Sequence, residues 1–272
     1  MSRIRRIASL AAVLTAAAAT VPVLAAPATT AGRWAPAASA SIHPGVIVSI
    51  ARVECAAGFV LAQRHQVYVA VPASCSGVSG GNPTDGCSEA QVPLGFNKVQ
   101  IDGARHYGTL VYSSFVRMES TDRGGPNMCA NNSLSLVQLD RRDIPRTNPS
   151  IPVAGGPTGV STAQPAMPDQ LLVLLDGAPA NAQATTTTAG GWAHGMYVDG
   201  EVNNLSVGSP ALDSDGKALG MVSYVPAQGG PGETTVTDLG RELRALRHTP
   251  GFHHVHLVTG TQDYAPPGLL AG

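Results

Sequence analysis

Short apolar and β-branched runs recur through this chain at 46–50, 58–61, 67–71, 109–111, 134–139, 171–175 and 218–224. Each has the length of a strand and falls short of an amphipathic helix. Between them stand clusters such as Gly80, Gly81, Asn82 and Pro83, or Gly124, Gly125, Pro126 and Asn127, or Gly229, Gly230, Pro231 and Gly232. Glycine supplies positive φ and proline a fixed one, so these clusters reverse the chain. Many short strands separated by turn chemistry imply an all-β barrel or sandwich. One helix is expected late, where Thr237 can cap a segment in which Leu239, Leu243 and Leu246 share a face, with Arg244 and Arg247 near its carboxyl end. Thr249, Pro250 and Gly251 stop it.

The first residues read as an export signal. Arg3, Arg5 and Arg6 precede an uncharged, alanine-rich stretch at 7–24, and two small-x-small sites end it, Val23-Leu24-Ala25 and Ala26-Pro27-Ala28. Cleavage is expected near Ala25 or Ala28, which makes 1–28 a signal peptide, and no cysteine stands there to take a lipid. Residues 29–41, rich in Ala and Pro and without periodicity, read as a flexible linker. No later segment is long enough to span a bilayer as a helix, so no stable membrane insertion is expected after cleavage. A net charge of −1 gives no electrostatic footprint for nucleic acid, and aromatics at 4% of residues disfavour base-stacking platforms. The expected destination is outside a bacterial cytoplasm, secreted or held in the cell envelope.

All four cysteines, Cys55, Cys75, Cys87 and Cys129, fit that oxidising destination. Cys55 and Cys75 flank what reads as a hairpin, with strands at 57–62 and 66–71, so they are the expected first disulfide and Cys87 to Cys129 the second. Closing a loop of about 20 residues removes on the order of 3 kcal/mol of freedom from the denatured chain. The competing reading, a metal site, lacks the two-residue cysteine spacing of a zinc knuckle.

Several segments follow one another in a telling order: Cys55-Ala56-Ala57-Gly58-Phe59-Val60; the strand at 67–71 running into Pro72-Ala73-Ser74-Cys75; Leu134-Ser135-Leu136-Val137-Gln138-Leu139; Gly208-Ser209-Pro210-Ala211-Leu212 followed by Gly220-Met221-Val222-Ser223; and the terminal helix. Over most of 41–252 this order resembles the trypsin/chymotrypsin family of secreted serine proteases, in particular its short bacterial members. The resemblance implies two six-stranded antiparallel β-barrels, at 42–150 and 151–236, and a C-terminal helix and cap at 237–252; the remaining 253–272, with Ala265-Pro266-Pro267-Gly268 showing no periodicity, reads as a disordered tail. The resemblance also implies a site at the barrel interface.

At the positions that carry the family's chemistry, this sequence departs from it. The general-base histidine matches Ser74, immediately before Cys75. The acidic residue matches Ser133, or Asn132 if the register shifts by one, and the nucleophile matches Val207. Valine cannot attack a carbonyl, and no member of the triad survives to activate another. The oxyanion glycine matches Leu205, where a positive φ would cost a leucine about 1 kcal/mol or more. Ser206 replaces an aspartate that in many relatives binds a freed N-terminus, and no activation sequence stands near Ile42. A replacement site would have to use Ser209 or Ser74 as nucleophile with His65, His106 or His194 as base. Ser209 is the best nucleophile candidate, one step past the nucleophile turn; His194, between Trp192 and Tyr197, falls where the family builds its substrate groove.

His253, His254 and His256, with His248 nearby, suggest a metal, but without a neighbouring carboxylate or cysteine they read more simply as a solvated, pH-sensitive surface. No cofactor and no metal is expected. The functional expectation is a secreted protease homologue without catalysis, a pseudoprotease binding an unidentified peptide or protein through its interlobe groove. The alternatives are an active serine endopeptidase with a non-standard triad and a structural cell-envelope protein.

Overall fold

The computed structural model describes residues 33–78, 86–121, 125–165, 169–187, 191–224 and 233–266. The expected signal peptide, the start of the linker, the turn clusters at 80–83 and 229–232 and the end of the tail lie outside these residues.

Two antiparallel sheets make the N-terminal lobe. In one, β1 (Ile47–Ile50) pairs with β2 (Val53–Ala56) and, on its other side, with β5 (Gln100–Ile101). In the other, β3 (Val60–Gln63), β4 (Gln66–Val71), β7 (Ser135–Gln138) and β6 (Thr109–Ser113) follow in that order, with β14 (His256–Leu257) outside β3. The chain changes sheet at 57–59. Ala57 N donates to Val46 O at 2.7 Å and Gly58 N to Ala70 O at 2.8 Å, so adjacent residues serve different sheets and the strand turns a corner. A Cβ at Gly58 would displace the Met221 side chain. The lobe is therefore two sheets meeting at a corner, where the resemblance implied a closed six-stranded barrel. The β3–β4 hairpin runs close to its expected limits, and both expected disulfides are present, Cys55–Cys75 and Cys87–Cys129.

The C-terminal lobe does close. Its six strands are β8 (Gln170–Leu175), β9 (Ala178–Thr187), β10 (Ala193–Val198), β11 (Pro210–Leu212), β12 (Ala218–Tyr224) and β13 (Glu233–Thr237), in barrel order β10-β13-β12-β11-β8-β9. Asp176 and Gly177 join β8 to β9 with φ of 48° and 79°, the left-handed pair that a two-residue hairpin turn requires. Leu171, Val173, Met196, Val198, Val222 and Val236 fill the interior.

Between the lobes lies a third cluster, in which Phe59, Leu61 and Tyr68 meet Leu172, Leu212 and Met221, with Leu239, Leu243 and Leu246 of α3 (Leu239–Arg247) packed against both sets. Asp238 caps α3, accepting from Arg241 N at 2.7 Å, one residue after the expected cap Thr237. Two helices were not legible in the sequence: α1 (Ser114–Thr121), which buries Phe115 and Met118 against Ala73, and α2 (Pro126–Asn131), which carries Cys129. No helix among the described residues is long and apolar enough to cross a membrane.

Both expected flexible segments are tied down where they are described. Ala35 N donates to Thr147 O, and Ser41 N and Ile42 N both donate to Arg146 O. The tail expected from 253 instead crosses back to the N-terminal lobe, where β14 adds to β3 and Thr261 hydrogen-bonds Asn148 and Ser150. Unpaired backbone groups along the β3 edge supply the reason, because an added strand satisfies them.

Candidate functional site

The site can be built outward from the Cys55–Cys75 disulfide. Cys75 sits in a 3₁₀ turn, Ala73–Ser76, that follows β4, and the turn places Ser74 in the interior with its Oγ lacking a hydrogen-bond partner. Ala73 N donates to Ser133 Oγ at 3.0 Å, so Ser133 stands beside the same turn. On the other side of the disulfide, Ala56 N donates to Val207 O at 2.8 Å, and Gly208 lies so close to Ala56 that a Cβ would strike its carbonyl. Ser74, Ser133 and Val207 are thus gathered around Cys55, Ala56 and Cys75 at the junction of the lobes. Val207 packs against the cores of both. Asn132, the alternative match for the acidic position, is occupied elsewhere: its carbonyl accepts from Ser114 Oγ and its amide reaches Met118. The register that places Ser133 at the site is therefore the one whose side chain faces the Ala73 turn.

The loop before Val207 is closed on itself. Leu205 N donates to Asn203 Oδ1 at 2.8 Å and Val207 N approaches Asn204 O at 3.3 Å, while Ser206 Oγ accepts from Asn203 N at 3.2 Å. These bonds wind Asn204–Ser206 into a 3₁₀ turn with a reciprocal cap. The strain expected at Leu205 is absent, because the residue adopts the helical turn in place of a positive φ. The consequence is chemical: the two N–H groups that match the family's oxyanion donors both point at acceptors inside the turn. Leu205 itself is 47% exposed at the surface of this junction.

The replacement candidates do not assemble around Ser209. Ser209 is buried, and its N–H donates to Ser206 O. His194, expected along a substrate groove, is fully buried on β10 with Nε2 3.2 Å from Asp238 Oδ2, the carboxylate that caps α3. Pairing of β10 with β13 turns the ring toward that helix. His106 faces Asp143, whose buried carboxylate also accepts the N–H groups of Arg105 and His106. His65 is exposed in the β3–β4 turn.

One buried acid was missed. Glu242 on α3 is 1% exposed, accepting from Ser133 N at 2.9 Å and bonded to Thr237 Oγ1 at 3.1 Å. No described cation forms an ion pair with it. Burial pushes its carboxyl up to about 8, the two hydrogen bonds pull the other way, and Asp238 adds repulsion. Tyr112 nearby is raised as well, by its own burial first and by Glu242 second. The signal was available: position 242 is three residues after Leu239 and four before Leu246, on the apolar face of the helix. No three His, Cys, Asp or Glu side chains among the described residues gather as a metal ion requires.

Among solved structures, the chain is similar to Thermobifida fusca protease A at 15% identity, with a TM-score of 0.51 over 80% of this chain and 99% of that one. It is also similar to a Cellulomonas bogoriensis chymotrypsin at 15% identity, with a TM-score of 0.48 over 80% and 98% of the two chains. No protein-family model matches the sequence, and no curated protein sequence does. The fold is that of the chymotrypsin-like serine proteases.

Proposed function

We propose that this chain is an exported, catalytically inert domain of the serine-protease fold that binds polypeptide at the junction of its lobes without cutting it. The observation that carries the reading is the closed turn at Asn203 to Val207. Transition-state stabilisation by an oxyanion hole requires free donors preorganised toward the developing charge, and loss of one such donor commonly costs about 10²–10³ in rate. Here both matching donors are engaged internally, the nucleophile position holds valine, and the base position holds a buried serine. Export is supported by the basic, alanine-rich start with its small-x-small sites and by two disulfides.

Binding is favoured by the surface that remains. Leu205 is exposed beside partly buried Val207, which offers an apolar contact where the fold's lobes meet. Photo-crosslinking with a library of extended peptides bearing one apolar benzoylphenylalanine tests it. Crosslinks are expected at or next to Leu205 and Val207, with recovery falling about tenfold in Leu205→Glu, since burying an unpaired charge against an apolar side chain is unfavourable. Crosslinks scattered over the surface, or unaffected by Leu205→Glu in a folded protein, overturn the binding half of the proposal.

A further inference from the structure

Five of the eight histidines, His65, His248, His253, His254 and His256, come together at one end of the molecule. The β3–β4 turn and the segment after α3 meet there. Gln63 Nε2 donates to Gly251 O at 2.7 Å, Gln63 Oε1 accepts from His254 N at 3.0 Å, and His256 pairs with Ala62. Arg64 and His65 occupy the turn; Arg244, Arg247 and His248 occupy the last turn of α3, where residues 244 and 248 are neighbours on the helix surface. All eight of these side chains are exposed, and none forms an ion pair among the described residues.

Acids are scarce here. On α3, Glu242 is buried and turned toward Ser133, and Asp238 lies at the opposite end, capping the helix. β6 reaches this end through Tyr112, whose hydroxyl meets Thr249 and lies near Arg117 of α1; that helix also carries one exposed carboxylate, Glu119. β3, β4, β7 and β14 contribute no acid, and Asp140, just past β7 where Leu139 N donates to Val67 O, is paired with Arg142.

Two of the imidazoles are oriented by the backbone. His253 Nδ1 lies 2.7 Å from Arg247 O, and His256 Nδ1 lies 3.1 Å from His254 O. A carbonyl oxygen only accepts, so Nδ1 carries the proton in both rings and Nε2 is the atom left to gain one. Protonation there creates an N–H donor and a positive charge on a ring already held in place. Histidine as a class changes charge between pH 5 and 8.

We propose that this end of the molecule is a docking surface for a polymer of repeating phosphate groups, and that acidification strengthens the contact. Guanidinium forks match phosphate oxygens, and several spaced cations suit a chain of charges better than a single ion. Each internal unit of a polyphosphate chain also keeps its charge in the range where imidazoles gain theirs, whereas carboxylates begin to lose theirs near pH 4. None of the exposed large hydrophobic side chains among the described residues, Val78, Leu94, Tyr107, Val153, Tyr197 and Leu205, belongs to these segments, so these segments offer no apolar wedge for a lipid bilayer.

Biosensor titration of the mature protein against immobilised inorganic polyphosphate tests the proposal, with phosphatidylglycerol vesicles as the lipid arm. Binding is expected to be on the order of tenfold or more tighter at pH 5.5 than at pH 8 and to weaken with salt. The triple variant His253→Gln, His254→Gln, His256→Gln should lose most of the pH dependence, and Arg64→Ala with Arg247→Ala should weaken binding at both pH values. His43→Gln, outside these segments, controls for histidine loss in general. Equal affinity at the two pH values, an unaltered triple variant, or binding to vesicles but not to polyphosphate overturns the proposal.

Discussion

Replacing Glu242 by glutamine is expected to stabilise the protein by roughly 3–5 kcal/mol at pH 9 and to change it little at pH 4. The carboxyl is buried without a described counter-ion, and its pKa rises from 4.5 to about 8 in the folded chain. Below pH 4.5 it is protonated whether folded or unfolded and contributes no difference. Between 4.5 and 8 the unfolded chain releases the proton more readily, so stability falls with rising pH; above 8 the whole loss has been taken. Glutamine has the same shape, can accept from Ser133 N and can donate to Thr237 Oγ1, and does not ionise. Urea unfolding at pH 4, 7 and 9 measures the effect. The wild-type midpoint should drop across that series more steeply than that of Glu242→Gln, and parallel curves would remove Glu242 as the cause.

Gly208→Ala is expected to cost about 4 kcal/mol or more and to leave little folded protein at 37 °C. Gly208 has φ of 97°, a region that an L side chain rarely enters, and a Cβ there would run into the Ala56 carbonyl. The obstacle is backbone on both sides. Gly208 N donates to Val222 O, and Ala56 N is bonded to Val207 O, so neither strand can retreat without breaking the contact between the lobes. Thermal unfolding followed by circular dichroism reads this directly, with Ser209→Ala, one residue on and with no comparable backbone demand, as the reference expected to melt near the wild type.

Much of this architecture was legible because it rests on local chemistry. The apolar runs at 46–50, 67–71, 134–139, 171–175 and 218–224 became β1, β4, β7, β8 and β12, and a cysteine pair flanking a hairpin became a disulfide. β9 escaped because its side chains are alanine, proline, asparagine, glutamine and threonine; only the Asp176-Gly177 turn marked it. α1 and α2 escaped because each is short and buries few residues, so tertiary contact with Ala73 and the Cys87–Cys129 link stabilise them more than their own periodicity. At the site, the register of Ser74 followed from Cys75, whereas the folding of Leu205 into a 3₁₀ turn depended on Asn203 and Ser206 capping each other. That is a side-chain exchange invisible in a motif comparison.

The catalytic inertness proposed above requires that no nucleophile be activated at the junction of the lobes. Treatment of the folded, disulfide-intact mature protein with a fluorophosphonate probe, with any adduct located by mass spectrometry and Ser209→Ala in parallel, tests it most directly. No site-specific adduct is expected under conditions that label a working serine hydrolase to completion. A stoichiometric adduct on Ser209 or Ser74, abolished by the matching alanine substitution, would contradict that inertness.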